Sequence, residues 1–303
     1  MKTINLKMDE IKKIDNLIVC LGYFDALHKG HLQLINRAKL EEGHIALLSF
    51  SENPKSLFNS NTKEVNTLSR KKELLEDIGI DYFLLLDACN EVLSLSPEEF
   101  IDRVIIPLGC KTVICGFDYT FGKDRKGDSS TLISLSNNRF KVIVLEEVKG
   151  NDELKISSSR IISLLSEGKI IEANEYLYKP YSIKSKVVHG NHIGSTIGFP
   201  TANIELASKY MILKNGVYSA YCIVNGKKYL SMVNVGKHPT IKKNEKDIIE
   251  IHIFDFNKDI YGMEIELIFI EYIREEIEFS SLDDLISQLH KDKSYILLRN
   301  KEK

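Results

Sequence analysis

Two histidines, His28 and His31, bracket Lys29-Gly30 directly after the apolar run Leu17 to Leu21 and the turn Gly22-Tyr23-Phe24-Asp25. An apolar strand, a glycine turn and the opening of a helix together make a seat for phosphate, because backbone N–H groups and the positive end of the helix dipole converge there. Residues three apart share a helical face, so both imidazoles can donate to the same phosphate oxygens. That arrangement suits nucleotidyl transfer, in which preorganised donors stabilise charge on phosphate oxygens and no covalent enzyme intermediate is needed. Two histidines at an exposed helix start are the plainer reading. Asp25 holds either the turn or a metal, and residue types alone leave both open.

A second candidate lies at Gly198-Phe199-Pro200-Thr201-Ala202-Asn203. Pro200 keeps the chain extended, so Thr201 and Asn203 point to one side, and a hydroxyl with an amide carbonyl makes a hard-oxygen pair suited to Mg²⁺ held with phosphate and water. Gly190, Gly194 and Gly198 make the preceding loop pliant. No Gly-Lys-Ser/Thr follows, so this is not a Walker A loop. A turn ahead of a strand is the ordinary alternative. Further on, Glu250 and His252 alternate with Ile249, Ile251 and Ile253, which puts the polar pair on one sheet face and the isoleucines on the other.

Two more segments carry phosphate-binding character. The loop from Gly116 to Gly127 sets Lys123, Arg125 and Lys126 between glycines; it is either a cover for phosphates or a solvated basic loop. Ser157-Ser158-Ser159 precedes a helix bearing Ile161, Leu164 and Leu165, where capping and phosphate binding are compatible.

These residues need elements to position them. Up to about residue 180, short apolar runs (Leu17–Leu21, Ile45–Phe50, Tyr82–Leu86, Lys111–Cys115, Phe140–Leu145) alternate with helical patterns and read as strands buried on both faces. Ser96-Pro97-Glu98-Glu99 predicts a capped helix start, and Gly79 and Gly168 suit helix ends. Such alternation predicts a doubly wound parallel sheet, with its ligand crevice at the carboxyl ends of the strands. Beyond that point the texture becomes antiparallel: Val217–Val224 and Lys227–Val235 flank Asn225-Gly226, a strong hairpin signal. Ile248–Phe254 and Ile260–Ile270 follow, then a helix traced by Leu282, Leu285, Ile286 and Leu289. The expected architecture is α/β plus β, with residues 1–180 as one domain and residues 181–303 as a small antiparallel barrel closed by a terminal helix.

Composition narrows the function classes. The 303 residues carry a formal charge of -2, which gives no footprint for duplex nucleic acid or an anionic membrane and favours small ligands. Five cysteines without CxxC spacing are expected to be buried, reduced thiols, and the absence of a leader or long apolar span predicts a cytoplasmic protein, monomeric or weakly self-associating.

Taken in order, Gly22 to His31, Gly116-Phe117-Asp118-Tyr119-Thr120-Phe121-Gly122, Ile156 to Arg160, Gly198 to Asn203, Asn234 to Thr240 and Glu250-Ile251-His252 resemble the bacterial bifunctional riboflavin kinase/FAD synthetases over nearly the whole chain. The resemblance implies an N-terminal FMN adenylyltransferase domain of the HxGH type and a C-terminal riboflavin kinase barrel, each using ATP and Mg²⁺. It places His28 and His31 at the ATP phosphates, with Gly22, Phe24, Asp25, Asn53, Gly116, Asp118, Phe121, Gly122, Lys123, Arg125, Ser157, Ser158, Ser159 and Arg160 around nucleotide and flavin. In the kinase half it implies Thr201 and Asn203 as Mg²⁺ ligands, Glu250 as the base for the riboflavin 5′-hydroxyl, and Gly190, Gly194, Gly198, Pro200, Asn234 and Arg274 at the substrates. An exposed, salt-bridging arginine is the alternative for Arg274.

The chain also departs from the pattern. Asn53 stands where the family has histidine, Ile162 where an arginine meets ATP phosphates, and Ile193 and Ser195 where arginines are common. Losing one charge-assisted contact removes about 1.5–3 kcal/mol, with Lys123 or Arg125 as candidate replacements. Ala26 replaces a glycine, a mild change if its backbone keeps a negative φ. A kinase with a weak or silent adenylyltransferase is the runner-up reading. A flavin- or nucleotide-binding regulator is the third.

Overall fold

The structure, a computed structural model, describes residues 1–57, 62–189, 197–205, 210, 213–237 and 247–301. Gly190, Ile193, Gly194, Ser195 and His238 to Thr240 lie outside them. The chain divides into two compact units, Met1–Ser158 and Ser159–Lys303.

In the first unit, β1 (Lys2–Leu6), β2 (Leu17–Leu21), β3 (His44–Phe50), β4 (Tyr82–Leu86), β5 (Cys110–Gly116) and β6 (Lys141–Leu145) form one parallel sheet in the order β1-β4-β3-β2-β5-β6. Helices α1 (Lys29–Ala38), α2 (Leu68–Ile78), α3 (Asn90–Leu93), α4 (Pro97–Phe100), α5 (Ile106–Leu108) and α6 (Ser129–Ser136) make the crossovers. All five residues of β2 are buried, as its uninterrupted apolar run requires. β6 differs from expectation: as an edge strand it has one neighbour, and its residues are half-buried or exposed. β1 was not foreseen. The capping box at Ser96 with Pro97 behind it is present, and Gly79 ends α2 at φ +84°.

The order of strands fixes where a ligand can enter. From β2 the chain moves to β3 and β4 on one side, then crosses back to β5 and β6 on the other. The loops after β2 and β5 therefore diverge at their carboxyl ends, which is the switch point where parallel sheets open a crevice.

The second unit begins with α7 (Ser158–Ser166) and α8 (Ile170–Tyr176), joined through Gly168 at φ +79°. Its six strands, β7 (Ser182–Val188), β8 (Ala202–Glu205), β9 (Gly216–Val224), β10 (Lys227–Lys237), β11 (Asp247–Ile253) and β12 (Glu264–Arg274), close into an antiparallel barrel in the order β10-β11-β8-β7-β12-β9. Asn225 (φ +49°) and Gly226 (φ +77°) turn β9 into β10 as the sequence predicts. β12 starts later than expected, because Tyr261 N–H bonds the Asp259 carboxylate and Gly262 adopts φ +73°, and it runs on to Arg274. Ile183, Ile204, Val233, Ile249, Ile251, Leu267 and Phe269 are buried in the barrel. Outside it, α9 (Leu282–Lys301) lays Leu289, Ile296 and Leu297 on Val217, Met232, Phe199 and Phe254. Leu282 is exposed and does not join that face.

Candidate active sites

At the switch point, α1 opens with His28 as its N-cap: His28 Nδ1 accepts the His31 backbone N–H at 3.3 Å. That bond leaves Nε2 to carry the proton, so the buried His28 ring is a donor at Nε2. The two rings stack with centroids 3.7 Å apart and planes 18° from parallel, which realises the shared face read from their spacing. Gly30 permits this, since a Cβ there would lie 3.1 Å from the His28 ring. Burial lowers the His28 pKa to about 4, with the Lys155 charge adding to the effect and Asp118 opposing it. His31 is held well below the usual imidazole range by burial, then by His28 and Lys71. Its Nδ1 is buried without a hydrogen-bond partner. Both rings are therefore neutral donors at neutral pH.

The turn that carries them is clamped from within. Asp25 accepts N–H bonds from Ala26 (2.9 Å), Val65 (3.2 Å) and Asn66 (3.0 Å), and its own carbonyl accepts from Ser158 Oγ at 2.7 Å. The geometry thus gives Asp25 the turn-holding role. Phe24 packs its ring 5.0 Å from His31, and Gly22 admits that ring because a Cβ would approach it to 3.1 Å. Ala26 departs from the expected negative φ: it sits at +49° and Phe24 at +55°. A left-handed turn forced on non-glycine residues stores strain, of order 1–3 kcal/mol each.

Of the remaining candidates in this unit, Asp118 is ion-paired to Lys155, whose ammonium also lies 4.7 Å from the Phe117 ring. Phe121 bonds Gly127 in both directions, at 2.9 and 3.0 Å, and so pinches a loop whose Lys123 and Arg125 side chains are exposed. Gly122 adopts φ +73° and Gly116 ends β5. Asn53 Oδ1 accepts the Lys55 N–H at 3.0 Å, a local turn. In the second unit, Arg160 is engaged by Glu172 at 3.1 Å and the Tyr176 hydroxyl at 2.8 Å.

Sequence reading missed Lys71, Glu64 and Lys155. Lys71, on α2, is 3% exposed with its Nζ 3.7 Å from the centre of the Tyr23 ring, and the Tyr23 hydroxyl donates to Glu64. Flanked by Arg70 and Lys72, it reads in sequence as a solvated charge run. Cys89 also departs from expectation, being exposed where the other four thiols are buried.

The barrel brings a second set together by register. Asn203 pairs with Glu250 across β8 and β11, and Glu250 pairs with Asn234 across β11 and β10. Residues opposite one another in an antiparallel ladder point to the same face, with Cβ atoms about 4.5–5.5 Å apart. The flanking Ile249 and Ile251 are fully buried, so these three polar side chains project to the outer face. Gly198 reaches φ +82° before the buried Phe199, and Pro200 C=O meets His252 Nδ1 at 2.9 Å, which holds the Thr201 segment against β11. Asn234 Nδ2 donates to Glu276 at 3.3 Å. Arg274 contacts Asp292: its Nε lies 3.1 and 3.0 Å from the two oxygens and its Nη2 at 2.7 Å. Its Nη1 donates to the Glu275 carbonyl at 2.8 Å.

Two family models match: riboflavin kinase over residues 177–297 and FAD synthetase over residues 10–160. The chain is 36% identical over 284 residues to the bifunctional riboflavin kinase/FMN adenylyltransferase of Listeria monocytogenes, covering 91% of this chain and 90% of that one. This chain belongs to the bifunctional riboflavin kinase/FMN adenylyltransferase family. The Bacillus subtilis member is 35% identical over 91% of this chain and 90% of its own length, and the Escherichia coli member 30% identical over 92% and 91%. A crystal structure described as a macrolide-efflux protein from Streptococcus pneumoniae superimposes with a TM-score of 0.89 at 33% identity, covering 97% of this chain and 98% of that one. Among the described residues of this family member no helix is long and apolar enough to cross a membrane. The enzyme phosphorylates riboflavin to FMN and adenylylates FMN to FAD, with ATP as co-substrate in both steps. A kinase with a weak or silent adenylyltransferase, the alternative raised by Asn53 and Ile162, is not favoured, since both domain models match and the curated relatives are bifunctional.

Proposed function

We propose that the two reactions are divided between the two clusters: His28 and His31 serve adenylyl transfer, and Glu250 with Thr201 and Asn203 serves phosphorylation. The observation that carries this is the pairing of Asn203 with Glu250 on one face of the barrel in the second unit, while the stacked imidazoles belong to the first.

At the switch point the FMN phosphate attacks the α-phosphorus of ATP and pyrophosphate departs. His28 Nε2–H, together with the neutral His31, donates to oxygens on which charge grows. Neutral donors cost no proton release as the reaction proceeds. Lys123, Arg125 and Lys155 supply positive charge for the triphosphate, which offsets the absence of an arginine at Ile162. Gly22, Phe24 and Asp25 hold the turn; Gly116, Asp118, Phe121 and Gly122 shape the loop after β5. Asn53 and Ser157, Ser158, Ser159 and Arg160 are read as further contacts to nucleotide or flavin.

On the barrel, Glu250 takes the proton from the riboflavin 5′-hydroxyl as it attacks the γ-phosphorus. Thr201 Oγ1 and Asn203 Oδ1 are hard oxygen donors, and among the described residues no cluster of three or more His, Cys, Asp or Glu exists to make an all-protein metal site. That donor set fits Mg²⁺ shared with ATP phosphates rather than a closed cage. When bound, the ion supplies charge neutralisation at the phosphoryl oxygens. Gly190, Gly194, Gly198, Pro200 and Asn234 are read as the phosphate and flavin surroundings. Arg274 serves by fastening α9. A cytoplasmic, monomeric or weakly associating protein that binds no nucleic acid completes the proposal; the free thiols and the near-zero net charge support it.

The test follows riboflavin, FMN, FAD, ADP and pyrophosphate together. Glu250→Gln is expected to abolish FMN formation while FMN still yields FAD. His31→Ala is expected to do the reverse. Equal loss of both activities in each variant would contradict separate sites.

A further inference from the structure

Lys71 is a buried cation in an unfavourable place. It lies at the fourth residue of α2, near the positive end of that helix's dipole, and it is 3% exposed. Burial lowers its pKa, while the Asp25 and Glu64 charges oppose that shift. A lysine buried at the positive end of a helix, beside a candidate site, is itself a candidate for that site. Its surroundings are those of the stacked imidazoles. Tyr23, whose ring it covers, precedes the Phe24 that packs on His31; the segment Val65-Asn66 leading into α2 clamps Asp25.

We propose that Lys71 is a positioning residue of the adenylyl-transfer site: its buried side chain, seated on the Tyr23 ring next to the turn whose Phe24 packs on His31, sets the surroundings in which His31 meets substrate phosphate. The inference rests on the assignment of His31 to that site. Among the described residues, the titratable groups acting on the cluster include Tyr23, Asp25 and His28 from the loop after β2, Glu52 beyond the end of β3, Glu64 ahead of α2, and Lys155 with Asp118 acting on His28. With the cation in place His31 stays neutral, ready to donate and unable to trap phosphate as an imidazolium. Burial is the first cause of that neutrality, and the His28 and Lys71 charges add to it.

The experiment records the pH profile of FMN adenylylation by the full-length enzyme alongside an NMR titration of the His31 imidazole, assigned with His31→Asn. Lys71→Met is expected to move the His31 titration and the acid limb toward neutrality by about one pH unit, a tenfold change in the neutral fraction on that limb. Lys71→Arg keeps the charge and the position of the limb. Glu64→Gln, which removes a compensating carboxylate, moves the limb the opposite way and decides the matter if Lys71→Met does not fold. An unmoved His31 titration in folded Lys71→Met, or a Glu64→Gln shift in the same direction as Lys71→Met, would overturn the proposal. If His31→Asn forms FAD at the wild-type rate, the site assignment fails instead.

Discussion

Ala26 shows how a single residue can work against its own backbone. Its methyl is fully buried at φ +49°, in a turn tightened by Asp25 on three N–H groups. Ala26→Gly is expected to stabilise the first unit by about 1 kcal/mol, the left-handed cost of a Cβ less the extra freedom of glycine when unfolded. Thermal denaturation of both proteins at one pH checks it; an unchanged or lower midpoint would show that the turn carries no strain. At this scale the sequence was partly legible. The shared face of His28 and His31 follows from spacing alone, whereas φ at Ala26 depends on contacts from residues 65 and 66 that no local pattern announces. Lys71 was hidden for the same reason: in Arg70-Lys71-Lys72 nothing in residue type distinguishes the buried lysine from its partly exposed neighbours.

Among the elements, α9 is fastened to the barrel by an apolar seam and by polar contacts (Tyr221 with Asn300, Tyr295 with Glu271), of which the most buried is the pair Arg274–Asp292. Arg274 at the end of β12 grips Asp292, 3% exposed, and Gln288 adds a bond to the same carboxylate at 2.9 Å. Removing one partner of a buried pair leaves the other charge uncompensated, so Asp292→Ala is expected to cost about 3–5 kcal/mol. Replacing both, as Arg274→Met with Asp292→Leu, is expected to recover much of that loss. Hydrogen exchange of the α9 amides with a denaturant melt measures both; equal loss in the single and double variants would contradict the account. The existence of most strands was legible from hydrophobic runs, because period and burial write themselves into residue type. Beyond the β9–β10 hairpin, which strands are neighbours was not. The meeting of Asn203 with Glu250 depends on β8 lying beside β11 across some forty-five intervening residues, and the edge position of β6 depends on sheet order.

The whole molecule should feel its buried imidazoles through pH. His28 titrates at about 4 in the folded enzyme against an unfolded value of about 6.5, so the unfolded chain binds protons first as pH falls. Stability is therefore full above about pH 6.5 and drops toward pH 4, by about 3 kcal/mol from His28 alone, with His31 adding in the same direction. Urea midpoints at about pH 7 and about pH 5 test the sign, and His28→Gln should flatten the dependence. A midpoint that rises on acidification would contradict it.

β1 is made of the first residues of the chain, yet Lys2 pairs with Tyr82 and Leu6 with Leu86 at the rim of the sheet. That pairing joins residues about eighty positions apart, so this rim strand gains its ladder only through a long loop closure, one of the less local contacts of the sheet.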